Sequence, residues 1–76
     1  MYKQTLTRKV GNRIRYYTLD LQMDLFGEYI VNKIFGSICN KKPTGFKREY
    51  FQTRESAIIS FKRNLALKMA KGYKLL

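Results

Sequence analysis

Hydrophobic and polar residues alternate through most of the first fifty positions, and the period then changes from two to that of a helix. From Arg13 to Gln22, Tyr17, Leu19 and Leu21 fall on one side while Tyr16, Thr18, Asp20 and Gln22 fall on the other, as in a half-buried strand. Arg13 and Arg15 continue the apolar side past the end of the core and are expected at its rim. Residues 2–8 alternate more weakly and read as an edge strand, with Tyr2, Gln4, Leu6 and Arg8 on one side. Val10-Gly11-Asn12 supplies the turn between the two. Met23 to Gly27 reads as a loop in which Asp24 and Gly27 give turn chemistry and Leu25 and Phe26 tuck against the core. Residues 28–38 form the next strand, rich in β-branched and aromatic side chains. Tyr29, Val31, Lys33 and Phe35 share one side; Ile30, Asn32, Ile34, Gly36 and Ile38 share the other. Neither side is cleanly polar, which places this strand inside the sheet. A turn from Cys39 to Gly45, shaped by Pro43 and Gly45, leads to a strand over residues 46–52, with Phe46 and Tyr50 opposite Glu49 and Phe51.

The last segment, residues 54–71, is helical. Thr53 can cap it, Glu55 suits the positive end of its dipole, and Gly72 provides a stop. Ile58, Phe61, Leu65 and Met69 repeat at helical spacing with Ala57 and Ala66 beside them, so this stripe is expected to cover the sheet. Lys62, Arg63, Lys68 and Lys71 flank it, and Tyr73 to Leu76 leave in an extended tail. The reading is an α+β fold: a small antiparallel sheet of about four strands with one C-terminal helix packed across a face, as a single domain over residues 1–76. Its core is small, supporting about 3–5 kcal/mol of net stability.

Charge changes this picture most. Sixteen lysines and arginines against five acids give a formal net charge of +11 over 76 residues. Such an excess repels itself in a compact state, and an anionic polymer is the partner it points to. The blander alternative is a solvated basic surface. Lys41, Lys42, Lys47 and Arg48 flank one turn, where their charges would converge, while Asp20, Asp24 and Glu28 gather around the preceding loop. Cys39 is the single cysteine, so no disulfide forms within the chain, and a lone thiol suits a reducing compartment. The opening MYKQTLTRKV lacks the apolar run of a secretory signal, and no stretch approaches a membrane span. A cytoplasmic monomer is expected, associated with the nucleoid if it binds DNA.

The order Tyr-Tyr-x-Leu-x-Leu at residues 16–21, then Asp24-Leu25-Phe26-Gly27, resembles the opening of a WGR domain. Phe35-Gly36-Ser37-Ile38 is similar to that family's Trp-Gly-Arg-hydrophobic signature. Glu55-Ser56-Ala57-Ile58 through Phe61, and the closing Lys71-Gly72-Tyr73, agree with its helix. The likeness runs from about Arg13 to Tyr73. Phe35 stands where the family has tryptophan, Ser37 where it has arginine, and Cys39 where a further glycine is usual. The resemblance implies a nucleic-acid-binding module, of the kind found in poly(ADP-ribose) polymerases that detect DNA ends and breaks, here in a small stand-alone bacterial type. The chain is too short for a polymerase domain, so that activity is not implied.

On this reading the candidate site centres on Phe35, whose ring would stack on an exposed base or lie against a ribose, worth about 1–3 kcal/mol; as ordinary core it would do neither. Gly36 would let a phosphate backbone approach, or would merely mark a bend. Ser37 would donate to a phosphate oxygen without an arginine's charge or fork. Lys41, Lys42, Lys47 and Arg48 would supply the missing charge, with Lys33, Arg13 and Arg15 extending the patch, or would form a solvated hairpin tip. DNA is favoured over RNA, with little sequence preference. The alternative is a protein-interaction module docking an acidic partner through Tyr16, Tyr29 or Tyr50. Basic flanks on an apolar helix also fit a membrane surface, but the sheet needs that stripe for its core.

Catalysis finds little support. Histidine is absent, no cysteine pair or Cys/His spacing suggests zinc, and the acids form no convincing pair. Cys39 lies near Lys41 and Lys42 but lacks a base or resolving thiol. No enzyme, metal or cofactor is expected.

Overall fold

The alternating segments form five antiparallel strands: β1 (Tyr2–Val10), β2 (Arg13–Met23), β3 (Tyr29–Ser37), β4 (Gly45–Phe51) and β5 (Lys74–Leu75), with one helix, α1 (Arg54–Ala70), between the last two. The structure, a computed structural model, describes residues 2–76, so Met1 lies outside it. The sheet order is β4-β3-β2-β1-β5. The fold is therefore the expected small α+β arrangement. The fifth strand comes from the tail that sequence alone leaves unpaired: Leu75 pairs with Leu6 and Lys74 with Thr7, and Leu76 N donates to Thr5 O at 2.9 Å. As a result β1 is not the edge strand that its weak alternation suggests; β5 covers part of its free side.

Register explains the core. Leu6 stands opposite Tyr17, Leu21 opposite Val31, and Tyr17 opposite Phe35, so the apolar members of three strands meet on one face. Leu6, Leu19, Leu21 and Val31 are fully buried there, and α1 closes the face with Ala57 and Phe61. Ile58, Leu65, Tyr29 and Phe51 pack around this cluster. The helix begins as expected, Ser56 N donating to the Thr53 hydroxyl at 3.2 Å. Its apolar stripe does not continue as expected. Met69 is 47 % exposed and Ala66 lies in solvent, because the row of Ala57 and Phe61 continues through the half-buried Asn64 and Lys68, with Leu67, 53 % exposed, at its side. The sheet beneath that half of the helix is no longer aliphatic, so an apolar stripe has nothing to cover.

The loop after β2 also differs from expectation. Asp24 Oδ1 accepts from Phe26 N and Glu28 N, each at 2.9 Å, which closes a tight reversal around Gly27. That reversal turns Leu25 (99 % exposed) and Phe26 (89 %) outward instead of tucking them against the core. Ile38 falls just outside β3, although its N–H still donates to Ile14 O at 2.9 Å.

The end of α1 decides where the tail goes. Tyr73 N donates to Lys68 O and Gly72 N to Met69 O, both at 3.1 Å, the paired bonds of a Schellman stop. Gly72 carries φ +100°, a conformation that disfavours any side chain. This reversal sends Tyr73 back over the sheet and delivers β5 to β1. Gly72→Ala is expected to lower stability by about 1–2 kcal/mol and to weaken hydrogen-exchange protection of the Leu76 amide more than that of β2. Urea unfolding and exchange measured together check this; equal loss across all strands would show that β5 docking does not depend on Gly72.

Candidate functional site

Cross-strand pairing sets Tyr17, Phe35 and Gly45 in one row across β2, β3 and β4, and Lys33 beside Lys47 in the next. These residues point toward α1, but at the end of the sheet where the aliphatic core has stopped. The C-terminal half of the helix overhangs them with Asn64, Leu67, Lys68 and Lys71, and Tyr73 follows. Together with Arg15 they line an open cavity of about 430 Å³. It is a cavity because small or slender groups lie where large apolar ones would be needed to fill it. Gly45 is the clearest case: a Cβ there would come within 2.3 Å of the Phe35 ring, so the ring lies directly across the bare backbone of β4.

The floor of the cavity is aromatic. Tyr17 and Phe35 stack with centroids 5.7 Å apart and planes 11° from parallel, and Tyr73 meets Tyr17 edge-on at 6.2 Å and 69°. Lys68 Nζ stands 4.4 Å from the Tyr17 centroid and 5.6 Å from that of Tyr73. Those ring faces attract the ammonium, yet the site as a whole disfavours its charge. Burial first, and then the charges of Lys71, Lys33 and Lys47, push the Lys68 pKa below its ordinary value. Burial raises the Tyr17 hydroxyl, with Glu49 and Tyr73 adding to the shift. Glu49 pairs with Lys33, the one ion pair among the described residues. Arg15, Lys47, Lys68 and Lys71 line the cavity without a carboxylate of their own. Such a group of like charges around exposed ring edges is suited to hold a phosphate while a sugar or base lies on the rings.

Four of the ten residues expected at the site meet here: Phe35, Lys33, Lys47 and Arg15. Phe35 is half-buried, joined to the core through Tyr17 yet open toward the cavity, so its two readings are not exclusive. Arg13 is exposed farther along β2 and does not line it. Gly36 faces the other side of the sheet, where a Cβ would lie 2.9 Å from Thr44 N and 3.3 Å from Pro43 Cα. What comes close to Gly36 is the chain's own turn, held by Thr44 N donating to Phe35 O at 2.9 Å, and a phosphate has no room there. The Ser37 side chain is buried, its hydroxyl without a hydrogen-bond partner among the described residues, so it is not presented to a ligand. Lys41 and Lys42 lie exposed in the turn, and Arg48 does not converge with Lys47. Neighbours in a strand point to opposite faces, and Arg48 pairs with Asn32 on the far side, its Nε donating to Asn32 Oδ1 at 2.9 Å.

Sequence reasoning misses the helix's contribution. It sets Lys68 and Lys71 on the flanks of α1 and gives Tyr17 and Tyr73 no part in the site. The signal for Lys68 is nonetheless present: it lies eleven residues after Ala57 and seven after Phe61, both buried, and so continues their helical row. Tyr73 follows a glycine stop, the place where an apolar side chain folds back on a helix end. Among the described residues no group of histidine, cysteine, aspartate or glutamate could hold a metal ion.

A family model described as WGR domain matches residues 2–75. No curated protein and no solved structure matches the chain.

Lys68 is expected to titrate below the ordinary lysine value, and a phosphate in the cavity is expected to raise its pKa, because an anion favours the ammonium form. Side-chain NMR of labelled lysine, with and without inorganic phosphate, reads both; an upward shift shared equally by the solvent-exposed Lys41 and Lys62 would mean no site. Gly45→Ala must push the Phe35 ring aside. It is expected to cost about 1–3 kcal/mol and to change the ring-current shifts around Tyr17, where a purely local effect would leave Tyr17 as it was.

Proposed function

The chain belongs to the WGR domain family, and from that premise we propose that it is a DNA-binding module that holds phosphate and sugar in the cavity under the C-terminal half of α1, with little sequence preference. Members of the family are in general nucleic-acid-binding modules. The observation that carries the reading for this chain is the Tyr17–Phe35 pair ringed by Arg15, Lys33, Lys47, Lys68 and Lys71. Phosphate contacts position a duplex without reading it, and the cavity offers cations and ring edges but few groups that could discriminate bases. Where the family's tryptophan and arginine are replaced by Phe35 and the buried Ser37, Lys68 supplies charge from the helix instead. The proposal includes neither enzymatic activity nor a cofactor, and takes the module as a monomer acting in the cytoplasm. Among the described residues no helix is long and apolar enough to cross a membrane.

An acidic protein partner would be favoured by an uncharged aromatic patch away from the cations. Of the aromatics that could anchor one, Tyr29 packs against the core and Tyr16 is half-buried; Tyr50 is 56 % exposed, but on the same strand face as Arg48. The aromatic rings nearest the family's motif lie among lysines.

Binding to labelled blunt duplex, nicked duplex and single strand, followed by fluorescence anisotropy over a salt series, tests the proposal. Affinity is expected to fall steeply with salt. Lys68→Ala and Lys47→Gln should each reduce the salt slope by about one, because each leaves one phosphate without its cation. Phe35→Ala should weaken duplex binding with the slope unchanged. If salt acts but Phe35→Ala and Lys68→Ala are silent, the chain is a basic surface and the cavity is not its site.

A further inference from the structure

The sheet has a second face, which α1 does not cover. Alternation and register place Tyr16 of β2, Ile34 of β3 and Phe46, Arg48 and Tyr50 of β4 on it. Phe46 is 53 % exposed and Tyr50 56 % exposed, flat rings on a strand whose outer edge is also unpaired. Two large rings exposed on one uncovered sheet face suit a binding surface. Arg48 lies between the two rings. Its guanidinium stands 5.3 Å from the Phe46 centroid, and its Nε bond to the nearly buried Asn32 fixes it along the sheet. The remaining guanidinium donors have no protein partner among the described residues.

The spacing and charge of this row indicate its occupant. Phe46 and Tyr50 are about 14 Å apart along the strand with Arg48 midway, roughly four times the ~3.4 Å rise between stacked bases of a duplex. A strand whose bases are unstacked and splayed can place them on such rings; a duplex keeps its base faces hidden. Register also places Lys3, Lys9 and Lys74 on this face, against the carboxylate of Asp20. A second copy of the chain would bring another +11 to a surface that is already cationic. An unpaired polynucleotide meets both features, its bases stacking on rings and its phosphates meeting Arg48 and the lysines.

We infer that the open face of the sheet is a platform for single-stranded nucleic acid, with bases resting on Phe46 and Tyr50 and a phosphate held by Arg48. This surface is separate from the helix-side cavity, with the thickness of the sheet between them. The inference therefore goes beyond the duplex-backbone reading and can fail without it.

The test uses the full chain and its Phe46→Ala, Tyr50→Ala, Phe46→Leu and Phe35→Ala variants, none of which changes charge. Anisotropy is measured with oligothymidylate, oligouridylate and blunt duplex. Each of Phe46→Ala and Tyr50→Ala is expected to weaken single-strand binding about five-fold or more, the effect of removing one base stack, while duplex binding stays as in the wild type. Phe46→Leu keeps apolar volume without a ring and should lose as much as Phe46→Ala. Phe35→Ala should do the reverse of both, sparing single strands and weakening duplex. The two oligonucleotides separate DNA from RNA as the strand preferred. Both substituted rings are more than half exposed, and thermal melting verifies that the variants remain folded. Three results would overturn the inference. One is single-strand affinity unchanged in both alanine variants. Another is a wild-type dimer in sedimentation that these variants dissolve, which would assign the face to a second copy. The third is loss of polyglutamate binding with single-strand binding intact, which would assign it to an acidic protein. If Phe35→Ala alone acts, and on duplex, the cavity stands and the open face falls.

Discussion

The stack of Tyr17 on Phe35, lying across Gly45, is the contact on which the rest of this small protein depends. On one side it ends the hydrophobic core: Leu6 stands across β1 from Tyr17, and the aliphatic row of Leu19, Leu21 and Val31 runs away from it beneath Ala57 and Phe61. On the other side it begins the cavity, because nothing aliphatic follows. A ring fits where it does because β4 offers no Cβ, and it stays there because Tyr17 is held from above by Lys68 and from the side by Tyr73. Core and site are thus one continuous structure that changes its chemistry along the strand.

That change explains the helix. Helix α1 is not strongly amphipathic along its whole length, and it need not be. Its first half must bury Ala57 and Phe61 against aliphatic side chains; its second half lies over rings and lysines, where an inward Lys68 can be tolerated and an inward Met69 would gain little. Burial, and after it the repulsion from Lys71, Lys33 and Lys47, holds the Lys68 pKa down. That repulsion is a local form of the strain implied by the net charge of +11. Charges placed in this way weaken the free fold and favour whatever anion relieves them, so stability and binding act in opposite directions on the same residues.

Much of this is legible in the sequence, and what is not has definite causes. Alternation locates β2 and β3 and puts Phe35 on the helix side with Lys33, and capping chemistry fixes both ends of α1. The family resemblance is correct, although the tryptophan that gives the family its name is missing. The two-residue β5 is not legible, since a pair as short as Lys74–Leu75 has no periodicity; it exists because a glycine stop returns the chain to β1. The turn after β2 misleads because apolar side chains usually pack, whereas Asp24 satisfies two amides and leaves Leu25 and Phe26 outside. At the site, Gly36 and Ser37 are suggested by analogy with a motif, but their surroundings decide otherwise. One is pressed against Thr44, and the other is buried.

The largest error concerns Lys47 and Arg48, and it has the widest consequence. Read as a run of charge beside a turn, they serve one phosphate track. In an extended strand they cannot, because successive side chains leave on opposite faces. Lys47 joins Lys33 beneath the helix, whereas Arg48 joins Asn32, Phe46 and Tyr50 on the open side. The same strand therefore gives each face of the sheet its own mixture of cation and ring. A domain of this size has a surface large relative to its core, and covering only one side of the sheet with a helix leaves the other free. Given this excess of positive charge, the two faces of the sheet are where we propose two kinds of contact with nucleic acid: phosphate held under the helix and bases laid on the open rings.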